Sequence, residues 1–542
     1  MKKRIALFAL VLIFFVSLLA GCNFTPIDDG SDDGGQIIIP DDGSTTGEEP
    51  DGDPDDDDPP PEEEPDTDPP VSPWLTDPVV KNTFYSAFGS SETLSADWSL
   101  VNYGWGQNGV SKDNAGYSRS PGVLNAIGAT GGVIVLSSYG DYYHDASKRG
   151  QGGVLISNGQ YGPGLYEIRM KVVPRFGPCS TAWSYYTNSY AVTNNAGSQV
   201  YGHNTADNIQ YHEIDIEAPK IGQGFKAWGG VAYEEYYQDA NNLNSKGEGA
   251  VVNRSKGVTA DCEGTYNDGQ WHTFAFEWRT AAYDNNEAAG ENEGAIIWFM
   301  DGKEVARTAM RTPYYPCQLW VGNWFPDNAT DWLGIADYDE AYMYLDWVRI
   351  TEYDDPVRLT NKSDGSLIKP DLGGCVAFST TGGNTNYAAN LPVNNYISNG
   401  EFLYGSGAAA TGWTLTAAAR ASNKLQLSGG GRAVQSVSAQ YGGYGFDLDV
   451  SAGAVSGSGD CRVYVEYISG VYAANSNSNA KMTATTVGQS EALILNAGGE
   501  QKLKFSLPAG LNVNNLRVVI ETDSGVTATI ERVTLRLSSD VR

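Results

Sequence analysis

From about Trp74 onward, apolar and polar residues alternate with period two in short runs, and no long stretch has helical spacing. Leu165-Tyr166-Glu167-Ile168-Arg169-Met170-Lys171 and Trp271-His272-Thr273-Phe274-Ala275-Phe276-Glu277-Trp278 are two such runs. A third, Ile296-Ile297-Trp298-Phe299-Met300, enters the hairpin signal Asp301-Gly302. Many short strands with this spacing predict an all-β fold, a jelly-roll sandwich of two antiparallel sheets over 74–355. Residues 356–392, with paired glycines and Asn361-Lys362-Ser363-Asp364-Gly365, read as a linker with some local structure. Alternation resumes over 393–542 in Arg462-Val463-Tyr464-Val465-Glu466-Tyr467 and Leu516-Arg517-Val518-Val519-Ile520. That predicts a second, smaller β-sandwich with its own core.

One run stands apart. In Tyr211-His212-Glu213-Ile214-Asp215-Ile216-Glu217 three acids alternate with isoleucines. On a strand Glu213, Asp215 and Glu217 line one face together with Tyr211, and Ile214, Ile216 and His212 face the core. Three adjacent carboxylates repel one another and add nothing to a core. Glycoside hydrolysis needs two carboxyl groups in different protonation states, which such a row can supply.

The N-terminus changes the picture of where the chain works. Lys2-Lys3-Arg4, an apolar run from Ile5 to Ala20 and Leu19-Ala20-Gly21-Cys22 read as a secretory signal ending in a bacterial lipobox over 1–22, with Cys22 lipidated. Residues 23–73 are nearly all Asp, Glu, Pro, Gly, Ser and Thr. Of the formal charge of −31, nineteen acids lie between Asn23 and Pro70, where no Lys or Arg occurs. Such a segment cannot bury enough apolar surface to fold and reads as a disordered tether, with a reach of at most about 170 Å. The expected location is extracytoplasmic, lipid-anchored to a bacterial membrane and displayed at the cell surface. Net acidity and the lack of a basic patch argue against a nucleic-acid partner. Five cysteines follow Cys22, so at least one stays unpaired; Cys179 and Cys317 read as buried in apolar strands.

The ordered motifs of 74–355 resemble glycoside hydrolase family 16, the concanavalin-like jelly roll of laminarinases, lichenases, agarases and xyloglucan-active enzymes. The resemblance rests on Tyr161-Gly162 with the Tyr166–Lys171 run, on Glu213-Ile214-Asp215-Ile216-Glu217, on the runs from Trp271 and Trp298, and on Tyr344-Leu345-Asp346-Trp347-Val348-Arg349-Ile350. It implies a retaining endo-hydrolase of β-glucan that needs no cofactor for catalysis. Glu213 would be the nucleophile, Glu217 the acid and then the base, and Asp215 the residue tuning Glu213. Mutual crowding would raise the proton affinity of Glu217 while Glu213 is ionised. Substrate-binding residues implied by position are Glu167, Arg169, Trp183, Tyr185, Tyr211, Trp324 and Trp332. The resemblance also implies a structural calcium held by Asp346 with backbone carbonyls.

The regular ExDxE strand and Asp331-Trp332-Leu333-Gly334 lean toward β-1,3-1,4-glucan. Ala218-Pro219 after the last acid, and His212 before the first, depart from the lichenase pattern. A β-1,3-glucanase, a galactan hydrolase or a transglycosylase on the same scaffold therefore stays open, as does a non-catalytic surface glycan-binding lipoprotein. The opening of the last sandwich, Ile397-Ser398-Asn399-Gly400-Glu401-Phe402 to Gly412-Trp413, is similar to carbohydrate-binding modules. Tyr441, Tyr444, Tyr464 and Tyr467 are its candidate platforms, with Trp413 in its core.

Overall fold

A computed structural model describes residues 77–187, 191–193, 199–201, 211–220, 223–243, 249–280, 294–308, 311–327, 333–360, 367–380, 384–438, 444–469, 485–508 and 515–539. The signal, lipobox Cys22 and the whole of the tether lie outside these residues, as do Trp332 and Tyr441. Strands dominate, as the alternation predicts, and the fold is all-β.

Two sheets form the first sandwich. One, here called the site sheet, runs edge to edge through Gly249–Asp261, Ala227–Leu243, Tyr211–Ala218, Cys179–Thr187, Gln318–Trp324, Gly153–Ser157, Trp98–Val101 and Cys375–Ala377. The second, the backing sheet, runs through Lys303–Thr308, Ala295–Met300, His272–Arg279, Gly164–Lys171, Glu340–Tyr353, Val133–Tyr139, Ala115–Ser118 and Thr385–Asn386, with Val80–Ser86 added against Glu340–Tyr353. Ile214 and Ile216 of the site sheet meet Tyr166, Ile168, Met170, Phe276 and Trp298 of the backing sheet in one dry core. Burying an aromatic side chain such as Trp298 removes about 150–250 Å² from water, roughly 4–6 kcal/mol. The isoleucines between the acids thus hold the strand down while the acids face away.

Trp298 also reaches through the core to the acidic strand. Its Nε1 donates to the Asp215 carbonyl at 2.9 Å. Gly230, on the neighbouring strand, makes room: a Cβ there would lie 2.8 Å from the Trp298 ring. Space for the indole therefore depends on a residue with no side chain.

The segment expected to be a linker is woven into both sheets. Cys375–Ala377 pairs antiparallel with Trp98–Val101, and Thr385–Asn386 pairs parallel with Ala115–Ser118. Leu372 and Cys375 pack against the apolar cluster on the open face of the site sheet.

The last part of the chain forms one nine-stranded sheet folded over Leu448, Val463, Val518, Ile520 and Leu535. It docks on the first sandwich through polar contacts. Arg175, buried, donates to the carbonyls of Tyr396 at 3.1 Å and Asp337 at 3.0 Å, and Asn394 exchanges two hydrogen bonds with the Tyr342 backbone. His144 stacks on Tyr404 with ring centroids 4.8 Å apart.

Candidate active site

Strand pairing fixes what flanks each acid. Glu213 lies between Tyr185 and Tyr233, Asp215 between Trp183 and Val231, and Glu217 between Thr181 and Gly229. The two sides differ in kind. Toward Gln318–Trp324 the open face carries Trp183, Trp320 and Trp324, with Trp105 from the 102–110 loop lying against all three. Toward Gly249–Asp261 it carries Tyr233, Val231 and Gly229, and beyond them Ser255, Gly257 and Thr259. A Cβ on Gly229 would come within 3.3 Å of Glu217 Oε2, and one on Gly257 would meet nothing within 4 Å. An indole wall thus stands on one side of the acids, and on the other the face is without side chains only at Gly229 and Gly257, past Tyr233 and Val231.

Asp215 is buried, and Glu213 and Glu217 are half-buried. Burial pushes the Glu213 carboxyl up to about 8, with the charge of Glu217 adding to the rise and a hydrogen bond with Asp215 opposing it. Burial likewise raises Glu217 to about 7, and the Lys220 cation opposes that rise. Lys220 hydrogen-bonds Thr259 Oγ1, and Thr259 lies opposite Gly229, itself opposite Glu217. Both carboxyls are thus raised by burial, and each rise is opposed by one neighbour: Asp215 at Glu213 and Lys220 at Glu217.

His212 faces the core as alternation predicts. Its Nδ1 accepts from the backbone N–H groups of Tyr314 and Tyr315, its ring stacks on Tyr315, and burial holds it well below the usual histidine range, hence neutral. Cys179 and Cys317 are buried as expected. Cys179 also lies close enough to Glu217 and Asp215 for their charges to add to the burial that keeps its thiol protonated.

The expected substrate residues divide. Trp183, Tyr185 and Trp324 belong to the cluster on the open face with the acids. Trp183 itself is only 7% exposed, stacked at 5.4 Å on Trp320 and edged by Trp105, so it backs the wall instead of offering its ring. Trp105 and Trp324 are half-buried and form the accessible part of that wall. The Tyr211 backbone continues the acidic strand, pairing with Thr187.

Glu167 and Arg169 do not reach the site. They project from the backing sheet on the side opposite Tyr166, Ile168 and Met170, where Glu167 pairs with Arg349 at 2.6 Å and Arg169 with Asp346. The Asp346 site does not fit a calcium ion either. Its Oδ1 accepts the Thr130 N–H and hydroxyl, its Oδ2 accepts from Arg169, and the guanidinium already supplies the positive charge.

The candidate platforms of the last sandwich are largely engaged. The Tyr444 hydroxyl donates to the Thr265 carbonyl of the first sandwich, and Tyr467 is 3% exposed. The Tyr464 hydroxyl donates to Glu521, which also pairs with Arg462. Trp413 packs on Phe402 in the core, as expected.

Paired carboxyls of raised proton affinity, on an open sheet face beside indoles, suit glycosidic bond cleavage. The comparisons point the same way. No family model matches the chain. It is 25% identical over 193 residues to the β-glucanase of Bacillus subtilis, spanning 35% of this chain and 60% of that protein. It is 26% identical over 194 residues to the β-glucanase of Paenibacillus macerans, with shares of 35% and 60%. With the β-glucanase of Acetivibrio thermocellus it is 24% identical over 261 residues, 47% and 56% of the two chains. The chain thus spans about three fifths of the length of the curated relatives it matches. A solved β-1,3-1,4-glucanase (lichenase) derived from a mouse hindgut metagenome is 21% identical, covering 51% of this chain and 100% of that one, at a TM-score of 0.33. The likeness to β-glucanases, read from the motifs, is borne out by the curated relatives.

Proposed function

We propose that this chain is a retaining endo-hydrolase of β-glucan, acting on β-1,3-1,4-linked chains, with Glu213 as nucleophile and Glu217 as acid and base. The observation that carries the reading is the row of carboxyls raised by burial beside an indole wall, with Gly229 next to Glu217.

The reaction needs Glu213 ionised and Glu217 protonated at the start. A hydrogen bond between two carboxyl groups requires a proton on one of them. With Asp215 as its donor, the bond stabilises the Glu213 anion, and the proton raised by burial stays on Glu217. Glu213 then attacks the anomeric carbon and Glu217 protonates the departing glycosidic oxygen. The glycosyl ester on Glu213 is cleaved by water that the now ionised Glu217 deprotonates. A carboxyl near 7 suits both halves of that cycle. Trp105 and Trp324 would offer flat apolar surfaces to sugar rings, and the space over Gly229 and Gly257 would take the glucan chain on the Glu217 side.

Lipidation of Cys22 and the acidic tether belong to the same proposal: they would hold the enzyme at a membrane surface, clear of the lipid. The test is to incubate residues 78–542, one compact unit, with mixed-linkage glucan, laminarin, xyloglucan and agarose, following reducing ends and product sizes. Short oligosaccharides from mixed-linkage glucan alone support the proposal. Turnover confined to another polymer moves the substrate, and binding without turnover of any polymer contradicts hydrolysis.

A further inference from the structure

Asp346 stands at a bulge. The register between Glu340–Tyr353 and Gly164–Lys171 shifts between Leu345 and Trp347, which pair with Met170 and Arg169, and leaves Asp346 over. Its side chain is fully buried. A buried carboxylate without compensation is costly, so its partners decide whether the segment is stable.

Those partners form a closed set. Thr130 gives Oδ1 two hydrogen bonds, from N at 2.7 Å and Oγ1 at 2.9 Å. Arg169 Nη1 bonds Oδ2 and also reaches the Gly128 carbonyl at 3.3 Å. Gly128 is the left-handed cap, φ 67°, that ends the helix Pro121–Ile127. Trp271 fastens the same turn, with Nε1 donating to the Ile127 carbonyl at 2.6 Å. The Arg169 guanidinium lies 5.4 Å from the Trp271 ring centroid, and Lys171 Nζ lies 5.2 Å from it. One cationic group thus gathers a strand carboxylate and a loop carbonyl.

A carboxylate and a backbone carbonyl converging on one positive centre is the oxygen donor set of a hard divalent cation. Here the positive centre is covalently part of the chain. We propose that the Arg169 guanidinium is a built-in structural cation that takes the place of a metal ion, so that this sandwich holds the 127–130 turn against its closing strand without calcium. Charge supports this. Asp346 and Arg169 neutralise each other, and Lys171 adds a further positive charge nearby. A divalent ion could enter only by expelling a tethered guanidinium that already satisfies both oxygens.

The experiment is thermal unfolding of the 78–542 unit in EDTA and in millimolar CaCl2, a readout that needs no activity. The wild type is expected to melt at the same temperature in both. Arg169→Ala is expected to melt roughly 3–5 °C lower in EDTA, because it leaves a buried carboxylate short of its charged partner, and to regain part of that loss with calcium. A wild type stabilised by calcium or weakened by EDTA overturns the proposal. So does an Arg169→Ala protein that melts like the wild type or ignores calcium. Should Arg169→Ala not fold, calcium titration calorimetry on the wild type and on Arg169→Lys decides: no heat from the wild type supports the proposal, and saturable binding to it overturns it.

Discussion

The indole N–H of Trp298 is hydrogen-bonded to the backbone carbonyl of Asp215 at 2.9 Å, across the core from one sheet to the other. The contact pins the middle of the acidic strand from beneath. It leaves the Asp215 side chain to work on the open face.

Trp298→Phe keeps most of the packing and orphans a buried carbonyl. It is expected to cost about 1–3 kcal/mol in a denaturant titration and to lower kcat more than it raises KM, since Glu213 and Glu217 move with the strand. Gly230→Ala attacks the same contact from the side, where a Cβ would lie 2.8 Å from the ring. A Trp298→Phe protein with unchanged stability and kcat would show that the bond holds nothing in place.

The raised carboxyls set a pH dependence of stability. Glu213 and Glu217 bind protons more tightly folded than unfolded, where they titrate near 4.5. Between about pH 4.5 and 8 the folded state therefore carries more protons, and stability falls as pH rises through that window. Glu213→Gln removes one of the two groups. It is expected to raise Tm above the wild type at pH 8 and to match it near pH 4, read by calorimetry at both values. An equal difference at both pH values would count against burial as the cause.

Lys220 opposes the rise at Glu217. Lys220→Met is expected to raise the proton affinity of Glu217 and move the alkaline limb of kcat/KM upward by about 0.5–1 pH unit, since that limb reports loss of the acid's proton. A limb that stays put, or moves down, would separate Lys220 from the acid.

Legibility in the sequence followed distance along the chain. The acid row and the inward His212 were readable because alternation within one strand is local, and Ile214 and Ile216 fix which face is buried. The same rule put Glu167 and Arg169 on one face, correctly, but could not say which sheet carries them. Arg169 meets Asp346 from 177 residues away, a pairing that no local pattern contains. Trp183 shares the acids' face as expected, yet Trp105 from a distant loop covers it, so that of the two accessible indoles Trp324 was read from the sequence and Trp105 was not. Only an isolated Trp within a glycine-rich turn, Tyr103-Gly104-Trp105-Gly106, hinted at it. The segment 356–392 looked like a linker because the strands within it, Cys375–Ala377 and Thr385–Asn386, are two or three residues long and take their order from edges already built.

Glu217→Gln separates the two halves of the reaction. With an activated aryl β-glucoside of a short mixed-linkage chain, which needs no acid to expel its leaving group, this variant is expected to form the glycosyl ester and then stall. Intact mass should show the added glycan, and peptide mapping should place it on Glu213. On natural glucan the same variant should lose about 10²–10⁴ in kcat. Label on another residue would reassign the nucleophile.

The central claim is retaining hydrolysis of β-glucan, and the most direct test follows the first product by proton NMR. Purified 78–542 is mixed with β-1,3-1,4-glucan and the anomeric region is recorded from the first minutes. The β-anomer should appear first, with the α-anomer growing in later by mutarotation. An α-anomer that appears first, or a glucan left uncut, would contradict the account.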